Sequence, residues 1–285
     1  MPSIPKLYAF LRGEILPLDE AFLHVSDLSI QRGYGVFDFL KVQDGHPLFM
    51  NEYLARFYES ARLMGLSVPV PDHTLKAAIH ELILKNNLPL SGIKMILTGG
   101  YSANGYNPAA PNLIILQQPL SLPDQALVHK GIKIITHAYV RELAQAKTIN
   151  YTMGIRLINE IKARGADDVL YHHEGIVTEL PRCNFFIIKQ DKTVATPGQD
   201  VLPGITRKHV LELAGSKYKT EEGTITLDDV FAAKEAFLTS TTKRILPVVQ
   251  VDDMIIGDGK PGPVSLSLLA DLISLEQAQL ATGKK

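Results

Sequence analysis

The chain has 285 residues, 46% hydrophobic and 21% charged, an ordinary globular composition that excludes wholesale disorder. Its 29 Lys and Arg balance 30 Asp and Glu to a formal net charge of −1, so nothing steers it toward nucleic acid or an anionic membrane surface. The single cysteine, Cys183, excludes an internal disulfide and fits a reducing compartment. Charges from Lys6 to Asp27 interrupt any signal-peptide core, and no run approaches the ~18 apolar residues of a membrane span, so a soluble cytoplasmic protein is expected.

The length suggests about two domains. Residues 36–42 are rich in β-formers and end at Asp44-Gly45, a hairpin signal. Leu54, Phe57, Tyr58, Ala61 and Met64 then recur at helical spacing, with Gly65 at the end. A second helix follows Pro71-Asp72, its stripe made by Leu75, Ala78, Ile79, Leu82 and Ile83. Strands are predicted over 93–98 and 113–117. Pro119, Ser121, Pro123 and Asp124 mark a linker over 119–128, which separates an N-terminal α+β domain (1–118) from a C-terminal α+β domain (129–285). Beyond it the spacing predicts a strand over 132–140 and a helix over 153–164. Short strands bracket Glu174-Gly175, and a buried strand covers 184–189. A helix covers 207–214, strands cover 236–240 and 248–251, and a final helix runs through 266–275. Few helices among many short strands read as α+β rather than a βαβ series.

Three familiar patterns carry little. Gly257-Asp258-Gly259-Lys260-Pro261-Gly262 matches G-x-G-x-x-G as a string, but Pro261 and Pro263 fall where the dinucleotide helix should begin, so a glycine-rich turn is the better reading. His172 and His173 are adjacent and face opposite ways on a strand, which is poor metal geometry; no metal is expected. Cys183 lies in an apolar run and reads as packing rather than as a nucleophile.

Four segments stand apart. Lys147 precedes an apolar helical stripe; partial burial there would lower an amine's proton affinity and make it nucleophilic toward aldehydes, although a snorkelling surface lysine gives the same string. Glu179 follows a β-branched stretch and is carried on strand-like backbone, where an edge-strand charge is the competing reading. Gly204 and Thr206 before a helix form a candidate phosphate-binding turn. Ser240, Thr241 and Thr242 offer hydroxyls at a strand end.

Taken together and in order, these segments resemble the class IV pyridoxal-phosphate aminotransferases. The resemblance runs through Gln31-Arg32-Gly33-Tyr34-Gly35-Val36-Phe37-Asp38, Asn51-Glu52-Tyr53-Leu54-Ala55-Arg56-Phe57, Gly105-Tyr106-Asn107-Pro108 and Lys147-Thr148-Ile149-Asn150-Tyr151. It continues through Val177-Thr178-Glu179, Asn184-Phe185-Phe186, residues 202–207, Ser240-Thr241-Thr242 and residues 256–264. It implies a two-domain fold type IV architecture with pyridoxal 5′-phosphate in the cleft between the domains and most ligands from the C-terminal one. Lys147 would hold the cofactor as a Schiff base and act as the acid/base at Cα, and Glu179 would pair with the pyridine nitrogen. Arg56, Ile205 (through its N–H), Thr206 and Thr241 match phosphate ligands. Leu202 matches the residue on the ring face, Tyr151 a tyrosine at the phenolic oxygen, and Thr242 a residue beside both cofactor and substrate. Arg32, Phe37, Arg182 and Thr242 fall on the substrate side.

In this family the enantiomer accepted depends on which pocket holds the substrate carboxylate. The Arg-x-His pair of the well-known D-amino acid enzymes is absent from Leu97-Thr98-Gly99-Gly100-Tyr101, but Arg182 and Arg32 occupy substrate-facing positions, and guanidinium is the natural bidentate partner of a carboxylate. The resemblance therefore points to an unconventional D-amino acid aminotransferase acting on D-glutamate or D-alanine with 2-oxoglutarate; an outward-pointing or structurally paired Arg182 is the competing reading. An L-branched-chain aminotransferase comes second, favoured by Tyr151 and residues 102–108, and aminodeoxychorismate lyase third. Family members are usually homodimers, so at least a dimer is expected, with residues 101–108 reaching across. Lys243-Arg244 departs from the family pattern and is expected to be a solvated pair.

Overall fold

The computed structural model describes residues 7–283 and divides the chain into two units. The first comprises the chain up to Ser121 together with Ala146–Asn150 and the chain from Gln279; the second comprises Leu122–Gln145 and Tyr151–Ala278. The chain passes from one unit to the other between Ser121 and Leu122, and the five residues around Lys147 group with the first unit rather than with their sequence neighbours.

The first unit holds strands β1 (Tyr8–Leu11), β2 (Glu14–Pro17), β3 (Gly35–Gln43), β4 (His46–Pro47), β5 (Leu90–Thr98) and β6 (Leu113–Pro119). They form one antiparallel sheet in the order β2-β1-β6-β5-β3-β4. The Asp44-Gly45 turn joins β3 to β4 with both residues at positive φ, as a two-residue hairpin requires. Helices α1 (Leu28–Arg32), α2 (Met50–Leu63) and α3 (Asp72–Asn86) complete the unit. The predicted stripes are the buried ones: Leu54, Phe57 and Ala61 on α2, and Leu75, Ala78, Ile79, Leu82 and Ile83 on α3.

The second unit holds α4 (Gln125–Lys130), β7 (Ile132–Ala138), α5 (Thr152–Arg156), α6 (Ile158–Ala163), β8 (Asp168–His173), β9 (Ile176–Val177), β10 (Glu179–Leu180) and β11 (Cys183–Ile188). It continues with β12 (Val194–Pro197), α7 (Ile205–Gly215), β13 (Thr220–Gly223), α8 (Leu227–Phe231), β14 (Glu235–Ser240), β15 (Arg244–Val251), β16 (Met254–Ile255) and, up to Ala278, α9 (Pro263–Gly283). Its mixed sheet runs β13-β12-β11-β14-β15-β7-β8-β9, with β10 paired to β11 and β16 to β15. Every residue of β11 is buried because the sheet has a core on each face: Phe185 and Ile187 enter one, Phe186 and Ile188 the other. Phe186 stacks on Phe237 at 4.9 Å between centroids, beside residues of α7 and α9.

Several local expectations change. The helix predicted over 153–164 is two helices, broken at Leu157, where ψ is −7° and the side chain is buried. β15 begins at Arg244 rather than near Val248, and the last helix runs from Pro263 to Gly283. The helix after the glycine string begins at Pro263, and the Glu235 carboxylate already accepts from the Val264 and Ser265 amides at 3.0 and 2.8 Å, so its N-terminus is filled from within. Among the described residues no helix is long and apolar enough to cross a membrane, and no His/Cys/Asp/Glu group could hold a metal.

Candidate active site

Lys147 belongs to the first unit, where its main chain is tied down at three points. Its N–H donates to Ser60 Oγ at 3.1 Å, its carbonyl accepts from the Phe37 amide at 2.8 Å, and Thr148 forms a bridge with Val36. Gly35 is required beneath it: a Cβ there would stand 2.6 Å from the Leu97 carbonyl and 3.2 Å from Ile149. The half-buried side chain lays its ammonium over the Phe37 ring, 4.7 Å from the centroid. Lys94 approaches the same ring at 5.1 Å, and burial lowers its proton affinity. Lys147 is thus not a snorkelling surface residue.

Arg56, also in the first unit, is buried on α2. Its Nε and Nη2 donate to the two oxygens of Asp38 at 2.9 and 2.7 Å, a bidentate pair with Asp38 fully buried. A lone carboxylate inside an apolar strand needs a cation, and Asp38 finds it in Arg56. Arg32 ends α1, is exposed, and donates to the Gln31 carbonyl at 3.0 Å.

In the second unit the residues gather around Glu179. The carboxylate is buried, not an edge-strand charge. Arg141 reaches Oε1 through Nε at 2.8 Å and Nη2 at 2.6 Å; Asn184 Nδ2 and the Leu202 amide donate to Oε2 at 3.3 and 2.9 Å. Asn184 also donates to the Leu202 carbonyl at 2.9 Å, so one amide side chain ties the carboxylate to the segment before α7. The β10–β11 register puts Glu179 opposite Asn184, and a two-residue turn, Pro181-Arg182, joins the strands. Sequence reading missed Arg141: it lies in an aperiodic loop, where no pattern announces a partner 38 residues away.

Leu202 leads into Gly204, whose missing side chain is essential: a Cβ would lie 2.0 Å from Asn184 Oδ1. Helix α7 then starts at Ile205 with no side-chain cap, leaving the amides of its first turn without intrahelical partners. Arg207 fastens this end by donating to the Pro197 carbonyl at 2.9 Å and pairing with Glu222 at 2.7 Å. Thr241 and Thr242 sit in the turn between β14 and β15, half-buried, and Tyr151 directly precedes α5. Cys183 is buried, its thiol pKa pushed up by that burial, which supports packing over reactivity. An uncapped helix start that carries the Thr206 hydroxyl fits a phosphate, and a carboxylate held by surrounding donors fits the protonated nitrogen of a pyridine ring.

This chemistry coincides with what the chain resembles. Residues 35–251 match the family Amino-transferase class IV, and the chain belongs to that family. It is an aminotransferase, and class IV aminotransferases use pyridoxal 5′-phosphate. A D-alanine aminotransferase of Bacillus licheniformis is 28% identical, covering 89% of this chain and 91% of the relative. A putative branched-chain-amino-acid aminotransferase of Methanocaldococcus jannaschii is also 28% identical, covering 91% and 93%. Among solved structures, a T.th. branched-chain amino acid aminotransferase with pyridoxamine 5′-phosphate superposes with a TM-score of 0.90 at 25% identity, covering 97% and 96%. The fold is accordingly that of the fold type IV aminotransferases.

Proposed function

We propose that the enzyme moves an amino group between a D-amino acid of the D-glutamate or D-alanine type and a 2-oxo acid such as 2-oxoglutarate. The observation that carries this reading is Arg182. It stands at the apex of the hairpin whose legs hold Glu179 and Asn184, it is exposed, and among the described residues it has no carboxylate partner. A guanidinium without an internal anion is suited to a substrate carboxylate. Arg32, bonded among the described residues to its neighbour's carbonyl, offers a second such group, with Phe37 and Thr242 as the other substrate-side residues. The names of the D-alanine aminotransferase relatives support this reading. The names of the branched-chain relatives and solved structures favour the second reading, an L-branched-chain aminotransferase.

Pyridoxal 5′-phosphate, when bound, supplies the electron sink for a carbanion at the substrate Cα. The Lys147 amine would anchor it and move the proton at Cα, swinging on four methylenes from a fixed main chain. Glu179, immobilised by Arg141, Asn184 and Leu202, would hold positive charge on the ring nitrogen. Ile205 through its N–H, Thr206, Thr241 and Arg56 would hold the phosphate end, Leu202 the ring face and Tyr151 the phenolic oxygen, with Thr242 beside cofactor and substrate.

Mixing the yellow enzyme separately with D-glutamate, D-alanine, L-glutamate and L-leucine, without oxo acid, tests the reading. Loss of the aldehyde absorbance with the D-compounds alone, slowed by Arg182→Ala, is expected. Bleaching by L-leucine alone overturns it in favour of the branched-chain reading, and pyruvate released from aminodeoxychorismate over many turnovers without an acceptor would indicate a lyase.

The working unit is proposed to be at least a homodimer. Phe22, Val25, Ile30 and Tyr106 are 73%, 69%, 57% and 78% exposed. Ser102 N–H donates to Ser26 O at 3.1 Å, which brings the two segments that carry these residues together. Exposed apolar side chains on two joined segments make this a candidate association face. Sedimentation of the native protein should give at least twice the 31.4 kDa chain mass, and Phe22→Asp should shift it toward the monomer; a native monomer would refute the assignment.

A further inference from the structure

The Lys243-Arg244 pair is not solvated. Lys243 Nζ lies 2.9 Å from Asp168 Oδ2 on β8, with side-chain exposures of 21% and 7%. Arg244 Nη2 lies 2.7 Å from Glu276 Oε2 on α9, at 20% and 8%. Both cations hold buried carboxylates from other elements, and between them they form the descending leg of the turn that carries Thr241 and Thr242.

The turn closes through its own main chain, while the ion pairs hold the side chains of its descending leg. Ser240 pairs with Arg244 across β14 and β15, leaving a three-residue connection. The Lys243 amide donates to the Ser240 carbonyl at 3.3 Å and to its Oγ at 3.1 Å, closing a β-turn with Thr241 and Thr242 at the centre. The following residue in such a hairpin takes the left-handed conformation, normally supplied by glycine. Here it is Arg244, at φ 56°, a conformation that any side chain with a Cβ resists. Behind the leg lies a cavity of about 330 Å³ lined by Lys243, Arg244, Ile245, Leu266, Leu269 and their neighbours, so close packing does not hold the leg in place from that side. Charge pairing takes over that role.

We propose that Lys243 and Arg244 are positioning residues: their ion pairs to Asp168 and Glu276 hold the residue 240–244 turn in the shape that presents Thr241 and Thr242 to the cofactor phosphate. The proposal rests on the reading of that turn as a phosphate site. Neither residue touches the phosphate; each acts through the turn.

The test removes each pair without stranding a buried carboxylate: Lys243→Met with Asp168→Asn, and Arg244→Gly with Glu276→Gln. Glycine retains the left-handed conformation, so the second variant isolates the ion pair from the backbone preference. Each holoenzyme is dialysed against a series of pyridoxal 5′-phosphate concentrations, and bound cofactor is read by absorbance; a parallel series uses pyridoxal, which lacks the phosphate. The Lys243 variant should hold pyridoxal 5′-phosphate about tenfold more weakly, the equivalent of one misaligned charged hydrogen bond, with pyridoxal changed less than about twofold. The Arg244 variant should lose less, about threefold, because glycine preserves the turn. Unchanged affinity for the phosphorylated cofactor in the Lys243 variant overturns the proposal, as does equal weakening toward both compounds, which would mark general loosening. Thr241→Ala separates the two layers. If it weakens cofactor binding while the Lys243 variant does not, positioning fails and the phosphate reading stands. If Thr241→Ala changes nothing, the phosphate reading fails and the proposal falls with it.

Discussion

The segment around Lys147 and the cluster around Glu179 are built in opposite ways. Lys147 is fixed through its main chain, by Ser60, Phe37 and the Val36–Thr148 bridge, while its amine rests on an aromatic ring. Glu179 is fixed through its side chain, by donors from Arg141, Asn184 and Leu202. The difference follows from the work proposed for each. A group that carries a proton must move at its tip, so only its root is held. A group that maintains charge at one atom must not move or lose its own charge, so the tip itself is held.

Replacing Lys147 by Ala should cost the most: amino transfer should fall by at least about 10³-fold, the scale of losing a positioned acid/base, with no comparable loss of thermal stability. Steady-state rates and melting curves together check this, and a matching loss of stability would erase the distinction between root and tip. Arg141→Met should act the other way. It leaves a buried carboxylate without its cation, and breaking such a pair costs about 3–5 kcal/mol. Denaturant unfolding should show the loss, and Arg141→Met with Glu179→Gln should recover part of it. A fully stable single variant would mean that Asn184 and the Leu202 amide suffice.

Ser60→Ala sharpens the comparison at smaller scale. It removes one acceptor from the Lys147 amide, worth about 1 kcal/mol. The activity loss should be modest but should exceed that of Ser91→Ala, which removes a buried serine hydroxyl bonded to Gln117 instead of to the Lys147 main chain. The smallest effect concerns pH. Burial, then His137 and His173, depress the pKa of His172, so the folded state binds its proton less readily than the unfolded chain. Its contribution is present above the ordinary histidine value of about 6.5 and is lost as pH falls through the lower folded value. His172→Gln should therefore flatten the acid limb of the stability profile slightly, without moving the neutral plateau.

What was legible in the sequence had a local cause. The helical stripes of α2 and α3 follow from period 3.6, the Asp44-Gly45 hairpin from residues that tolerate positive φ, and the apolar run of β11 from burial on both faces of a sheet. Lys147, Glu179, Gly204 and Thr206 were each weak alone and stood out through their order along the chain, which carries the family resemblance. Boundaries were less legible. Arg244 belongs to a strand despite its left-handed φ because the hairpin register and Glu276 decide it. The break at Leu157 gave no sign in a stripe that keeps its period.

Pairings across distance were decided only by tertiary structure. Arg141 with Glu179, Arg56 with Asp38, Lys243 with Asp168 and Arg244 with Glu276 join residues 38, 18, 75 and 32 positions apart. The solvated reading of Lys243-Arg244 failed for that reason. A basic dipeptide looks the same in sequence whether its charges meet water or buried carboxylates, and the partner is chosen by strand order and helix packing rather than by neighbours in the chain. Sequence alone determined which chemical groups this protein carries and which backbone stretches carry them. Folding decided which of those groups are desolvated and paired, because burial and ion pairing depend on the whole packed chain.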